Sequence, residues 1–133
     1  MLMTAIAGPG INILLAIACG LVLGIMAPAT AMDITWLDQN MFNAILINGA
    51  LATFNLMPIL PLDGGRVLRA LLPSEFGTAY AATERYGMVI VIALLLLPST
   101  TGIHFFTDAL ASAVSVVIGT ILSLTGNQNY PGL

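Results

Sequence analysis

The stretch Asn55 to Gly65, NLMPILPLDGG, groups residue types suited to chemistry as nothing else in the chain does. Asn55 offers an amide and Asp63 a carboxylate. Pro58, Pro61, Gly64 and Gly65 surround them with residues that act on the backbone. Each proline lacks an amide hydrogen and clashes with the turn before it, so the pair must end any helix arriving from the N-terminal side. Asp63 then follows in a turn. Gly64 and Gly65 remove side-chain bulk beside it, so another group could approach the carboxylate closely. Two readings stay open on these grounds. Asp63 caps the helix that follows, a common aspartate role, or it is a functional ionisable group held close to lipid.

The surroundings of this stretch are those of a membrane protein. Of 133 residues, 59% are hydrophobic and only 7% charged, and lysine is absent. Mean hydropathy is +1.02. A soluble domain usually carries roughly 25% charged residues, so this chain could not cover its own surface with polar groups. The net charge of -3 rests on few groups, and no basic tract suggests nucleic acid. The single cysteine, Cys19, can form neither an intrachain disulfide nor a CxxC site.

Four hydrophobic segments must position the candidate residues: Ala5 to Ala27, Met41 to Met57, Tyr86 to Pro98 and Phe105 to Leu124. A spanning helix needs about 20 predominantly apolar residues. The first and fourth meet this easily, the second by including polar neighbours, and the third only if it starts near Ala81. "RVLRALL", from Arg66 to Leu72, reads as a short interfacial helix stopped at Pro73. The expected architecture is all-α: one membrane-embedded domain over residues 1–133, a multi-pass bundle of four spans plus that interfacial helix. Ala16, Gly20 and Gly24, and likewise Ser115, Gly119 and Ser123, recur every four residues and predict helix faces that allow close packing in lipid.

All three arginines, Arg66, Arg69 and Arg85, fall between the second and third segments. Positive charge in short loops marks the cytoplasmic side. Four spans then place both termini in the cytoplasm, with Asp33, Asp38, His104 and Asp108 toward the opposite face. Ala29 and Ala31 imitate a signal-peptidase site, but no positive charge precedes the apolar core, and Gly8, Pro9, Gly10 and Asn12 interrupt its start. Proline and glycine there loosen the backbone, which lipid tolerates only where protein or water satisfies the freed groups. The opening of the chain therefore reads as the middle of a larger protein.

Two motifs together carry a family resemblance. AGPGIN (Ala7 to Asn12) and FNLMPILPLDGGRVL (Phe54 to Leu68) resemble the site-2 protease family of intramembrane zinc metalloproteases, whose pattern is A-G-P-x-x-N in one membrane helix and N-L-x-P-x-x-P-L-D-G-G in the next. ERYG, from Glu84, with its following apolar run is similar to the compact prokaryotic members. The resemblance implies residence in a prokaryotic cell membrane, a membrane-spanning protein as substrate, and Zn(2+) as cofactor of the intact protein. It implies that Asp63 is the third zinc ligand, and that Asn55 orients substrate or stabilises charge near the metal. Gly8, Pro9 and Asn12, with Pro58, Pro61, Gly64 and Gly65, would shape the site. Arg66 would have no metal role, since snorkelling toward headgroups accounts for it.

The departure from that family is equally informative. Catalytic zinc takes three protein ligands and an open position for water. In this family two come from H-E-x-x-H, whose histidines share a helix face and whose glutamate is the general base. No such motif is present, and the sole histidine, His104, reads as an exposed loop residue. The expectation is a segment that supplies Asp63, truncated at its N-terminus and inactive alone, with no room between the two motifs for an inserted PDZ domain. A natural inactive relative is the other account of the missing motif. The alternative function is a non-catalytic membrane scaffold that binds transmembrane helices.

Overall fold

The computed structural model describes residues 2–26, 36–102 and 104–127, and all regular structure among them is helical. The elements are α1 (Leu2–Met26), α2 (Trp36–Asn55), α3 (Asp63–Leu71), α4 (Ser74–Ala81), α5 (Glu84–Thr101) and α6 (Phe105–Leu124). The four apolar segments become α1, α2, α5 and α6. The interfacial helix becomes α3, which begins at Asp63 rather than Arg66 and is followed by Leu72 and Pro73. Helix α4 was not anticipated. Pro73 both stops α3 and precedes the first turn of α4, so one residue read as a terminator is also a start.

Two of the described helices are long and apolar enough to cross a bilayer, α1 and α6. A third span results only if α4 and the apolar part of α5, bent by 62° at their junction, count as one. Helix α2 has 20 residues, but Asp38, Gln39, Asn40, Asn43 and Asn48 dilute its apolar content. The count of four spans is therefore not established by the helices' length and composition. Ala29, Ala31 and Asp33 lie outside the described residues.

The core is a three-helix seam. Ala16 and Leu23 of α1 meet Phe42 and Ile45 of α2 and Ile118, Ile121 and Leu122 of α6. Helix directions follow from the contacts. Gly49 of α2 lies against Ile118, with a Cβ there falling 3.0 Å from Ile118 Cγ1. Further along α2, Thr53 and Met57 share a cavity with Phe106 and Ala113, which come earlier in α6. Advancing along α2 retreats along α6, so the two are antiparallel. At the far end Asn127 Nδ2 donates to the Gly20 carbonyl at 2.8 Å, joining the end of α6 to the second half of α1. Helices α1 and α6 thus run the same way.

This arrangement revises the expected topology. His104, at the start of α6, lies at the end of the bundle where α2 finishes and Asp63 follows, not at the opposite end. Asn127 lies at the other end, so the start of α1 and the finish of α6 lie at opposite ends of the helix bundle. Strict alternation assumed that α5 threads the bundle between α2 and α6. Most of α5 is exposed, as is most of α1 and α6, with Gly87 and Val91 the buried residues of α5 among those described.

The two small-residue stripes part company as well. On α1, Ala16 is fully buried and Gly20 and Gly24 admit Thr125 so closely that an added Cβ would come within 2.8 Å of Thr125 Oγ1 or 2.7 Å of its carbonyl oxygen. On α6, a Cβ at Gly119 would meet nothing within 4 Å. Small residues permit close packing; a partner must still be there. Gly20→Ala is expected to lower stability by about 1–3 kcal/mol through overpacking. Gly119→Ala should leave it unchanged or raise it by up to about 1 kcal/mol through helix propensity. Denaturant titration of both variants in one detergent checks the contrast.

Candidate functional site

Helix α2 ends at Asn55, and the chain folds back through short local bonds before α3 starts. Ile59 N–H donates to the Met57 carbonyl at 2.8 Å and Leu62 N–H to the Ile59 carbonyl at 2.9 Å. Leu62 occupies the N-cap of α3 and contributes no side-chain cap bond. Asp63 is the first helical residue, not the cap. Its carboxylate sits in the first turn of α3, where the helix dipole favours negative charge by about 0.3–1 kcal/mol.

The glycine pair does something other than open space at the carboxylate. A Cβ on Gly64 would lie 2.2 Å from the Leu56 carbonyl oxygen, and one on Gly65 would lie 2.5 Å from Leu60 N. The group that approaches is the chain's own backbone, so α3 is laid directly on the 56–60 turn. Gly87 does the same from α5, with an added Cβ only 1.6 Å from the Leu60 carbonyl oxygen. Tyr80 Oη donates to the Pro58 carbonyl at 2.7 Å, tying α4 to the same turn.

Room for the carboxylate comes instead from α1. A Cβ on Gly8 would stand 2.7 Å from Asp63 Oδ2 and 3.8 Å from its Cγ. The two sequence motifs therefore meet through the one atom group that could bind a cation. Pro9 beside this contact is fully buried, and α1 passes through it without a break, contrary to the expectation of a loosened start. Asn12 follows Gly8 by four residues and so shares its helix face. Asn12 and Asn55 are half-buried, and neither side-chain amide hydrogen-bonds another described residue. Arg66 Nη1 stands 4.0 Å from Asp63 Oδ1, with the aspartate side chain 27% exposed.

The site can offer one carboxylate, with the Asn12 amide one turn along α1 from the Gly8 contact. Among the described residues no group of three or more His, Cys, Asp or Glu could hold a metal. His104 is exposed, and its carbonyl accepts from Thr107 Oγ1 and Asp108 N–H at the start of α6. Sequence reasoning missed Gly87 and Tyr80. A glycine one turn into an apolar run is itself a sign of close backbone approach, whereas nothing in the sequence marks Tyr80.

Residues 22–98 match peptidase family M50. The chain is 34% identical over 101 residues to YwhC of Bacillus subtilis, a candidate zinc metalloprotease, covering 72% of this chain and 46% of YwhC. It is 32% identical over 93 residues to the zinc metalloprotease MJ0392 of Methanocaldococcus jannaschii, covering 67% of this chain and 26% of that protein. Rip3 of Mycobacterium tuberculosis, another candidate zinc metalloprotease, is 32% identical over 100 residues, 70% of this chain and 24% of Rip3. This chain thus spans about half the length of YwhC and about a quarter of the other two. No solved structure matches it.

The contact between Gly8 and Asp63 can be tested directly. In a Cys19→Ser background, the double variant Gly8→Cys, Asp63→Cys should form a disulfide on mild oxidation, since a Cβ at Gly8 lies 3.8 Å from Asp63 Cγ, close to where the cysteine sulfur would stand. Gel mobility before and after reduction reads it. Gly10→Cys with Asp63→Cys should not cross-link, because a Cβ at Gly10 meets nothing within 4 Å.

Proposed function

The chain belongs to peptidase family M50, and we propose on that premise that it supplies Asp63 as one ligand of a zinc site in an intramembrane metalloprotease. The remaining ligands would come from polypeptide outside these 133 residues. The observation that carries this reading is the placement of Asp63 Oδ2 against Gly8, where a side chain of any size would displace it. A carboxylate serving only as a helix cap would need no such clearance, and Asp63 is not the cap residue.

The chain's own groups then have distinct roles. Asp63 contributes negative charge at a fixed point, held at the start of α3. Gly8 keeps that point open, while Pro58, Pro61, Gly64 and Gly65 fix the turn behind it. Asn55 and Asn12 offer amides to a substrate segment. Such a segment must be unwound locally, because a membrane helix hides its carbonyls in its own hydrogen bonds. The substrate class is accordingly a membrane-spanning protein, and the reaction is hydrolysis of one of its peptide bonds. Arg66 and Arg69 near Asp63 support a cytoplasmic location for this end of the bundle.

A non-catalytic scaffold is favoured by one observation, the lack of a three-ligand cluster among the described residues. Zinc content and cleavage of a model spanning peptide separate the readings, measured with this chain joined to a partner segment bearing H-E-x-x-H. Asp63→Asn should lower zinc affinity by more than the roughly 10–100-fold that loss of an outer-shell partner costs. Asn55→Ala should leave zinc bound but slow cleavage about 10²–10³-fold, as expected for one lost donor to developing charge. Unchanged zinc and cleavage in Asp63→Asn would return the chain to a scaffold.

Orientation has its own test. Cysteines placed singly at Arg69 and His104, in the Cys19→Ser background, should both resist an impermeant thiol reagent added to intact cells and both react after lysis. Labelling of the His104 position alone from outside would restore the alternating topology.

A further inference from the structure

We propose that the cavity between α1, α3 and α5 binds the phosphodiester headgroup of an anionic phospholipid; this holds whether or not the chain takes part in proteolysis. The cavity encloses about 520 Å³ and is lined by Thr4 and Ala5 of α1, Arg66, Arg69 and Ala70 of α3, and Glu84 of α5. Two of the three arginines in a chain without lysine therefore open on one space. They stand three residues apart on α3, which places them on one helix face. Two guanidinium forks so placed can share a single phosphate through charge-assisted bonds.

The existing ion pairs leave both arginines available. Arg66 is 4.0 Å from Asp63 and Arg69 is 3.8 Å from Glu84, with the arginine side chains 57% and 47% exposed. Exposed pairs of this kind contribute little stability, and a phosphate can replace them with shorter bonds.

The surroundings select a lipid over a free anion. Met3 and Ile6 of α1 and Leu71 of α3 neighbour the lining residues in sequence and are highly exposed apolar side chains. Acyl chains would cover such surface, whereas inorganic phosphate gains nothing from it. Basic pockets between helices at a membrane face are suited to anionic headgroups. Glu84 opposes binding by holding Arg69, so removing its charge should strengthen the site.

Native mass spectrometry of the full chain, released from neutral detergent micelles with either phosphatidylglycerol or phosphatidylcholine, tests this. Phosphatidylglycerol should be retained in preference to phosphatidylcholine. Arg66→Gln and Arg69→Gln should each lower its retention about fivefold, the factor expected per basic residue near an anionic surface. Glu84→Gln should raise retention. Arg85→Gln should leave it unchanged, since that guanidinium lies over the Tyr86 ring, 4.9 Å from its centroid, and not in the cavity. An equal loss in Arg85→Gln would reduce the effect to diffuse surface charge. Equal retention of the two lipids, or displacement of phosphatidylglycerol by an equimolar amount of inorganic phosphate, would overturn the assignment to a lipid headgroup.

Discussion

Main chain lying against main chain is the constraint on which the Asp63 end of this protein depends. Gly64, Gly65 and Gly87 each stand where a methyl group would strike the backbone of residues 56–60. Between helices in lipid there is little hydrophobic drive, and close van der Waals packing takes its place. The 56–62 turn is thus gripped by α3 from one direction and by α5 from another, with the Tyr80 bond to Pro58 adding a polar tie. Asp63 inherits this rigidity because it starts the helix that the glycines allow to approach. A carboxylate on an unsupported loop would have no fixed position to offer a metal or a substrate.

The surroundings of the Asp63 carboxylate accommodate it without saturating it. Burying an unpaired charge is expensive, and three features moderate that cost here. The side chain keeps 27% of its exposure, Arg66 stands 4.0 Å away, and the first turn of α3 presents its amide hydrogens. None of these saturates the carboxylate. The oxygen nearest α1 faces Gly8, where there is no side chain to bond it. Asp63 Oδ2 is thus open toward α1, and among the described residues no group of three or more His, Cys, Asp or Glu accompanies it.

Much of this was legible from residue order. The apolar run gave α6 residue for residue, whereas α1 starts three residues before its expected beginning at Ala5. Pro58, Pro61 and Pro73 marked the end of α2 and of α3 correctly, since proline acts through local covalent geometry. What was not legible was relational. The spacing of Ser115, Gly119 and Ser123 is as regular as that of Ala16, Gly20 and Gly24, yet only the α1 stripe meets a close neighbour at its central glycine. The direction of α6 depends on where α5 goes, and residues 87–97 of α5 are apolar whether the helix threads a bundle or leaves it. Gly8 gave no sign from its neighbours alone that its partner would be Asp63, 55 positions later.

The proposed contact of Asp63 with a zinc ion is tested most directly by replacing its donor atom. In the zinc-loaded protein, with Cys19→Ser to remove the competing thiol, Asp63→Cys exchanges an oxygen donor for a sulfur. X-ray absorption at the zinc edge should then show a new Zn–S path at about 2.3 Å that the parent lacks. A spectrum with only nitrogen and oxygen scatterers, at unchanged zinc content, would show that Asp63 stands away from the metal.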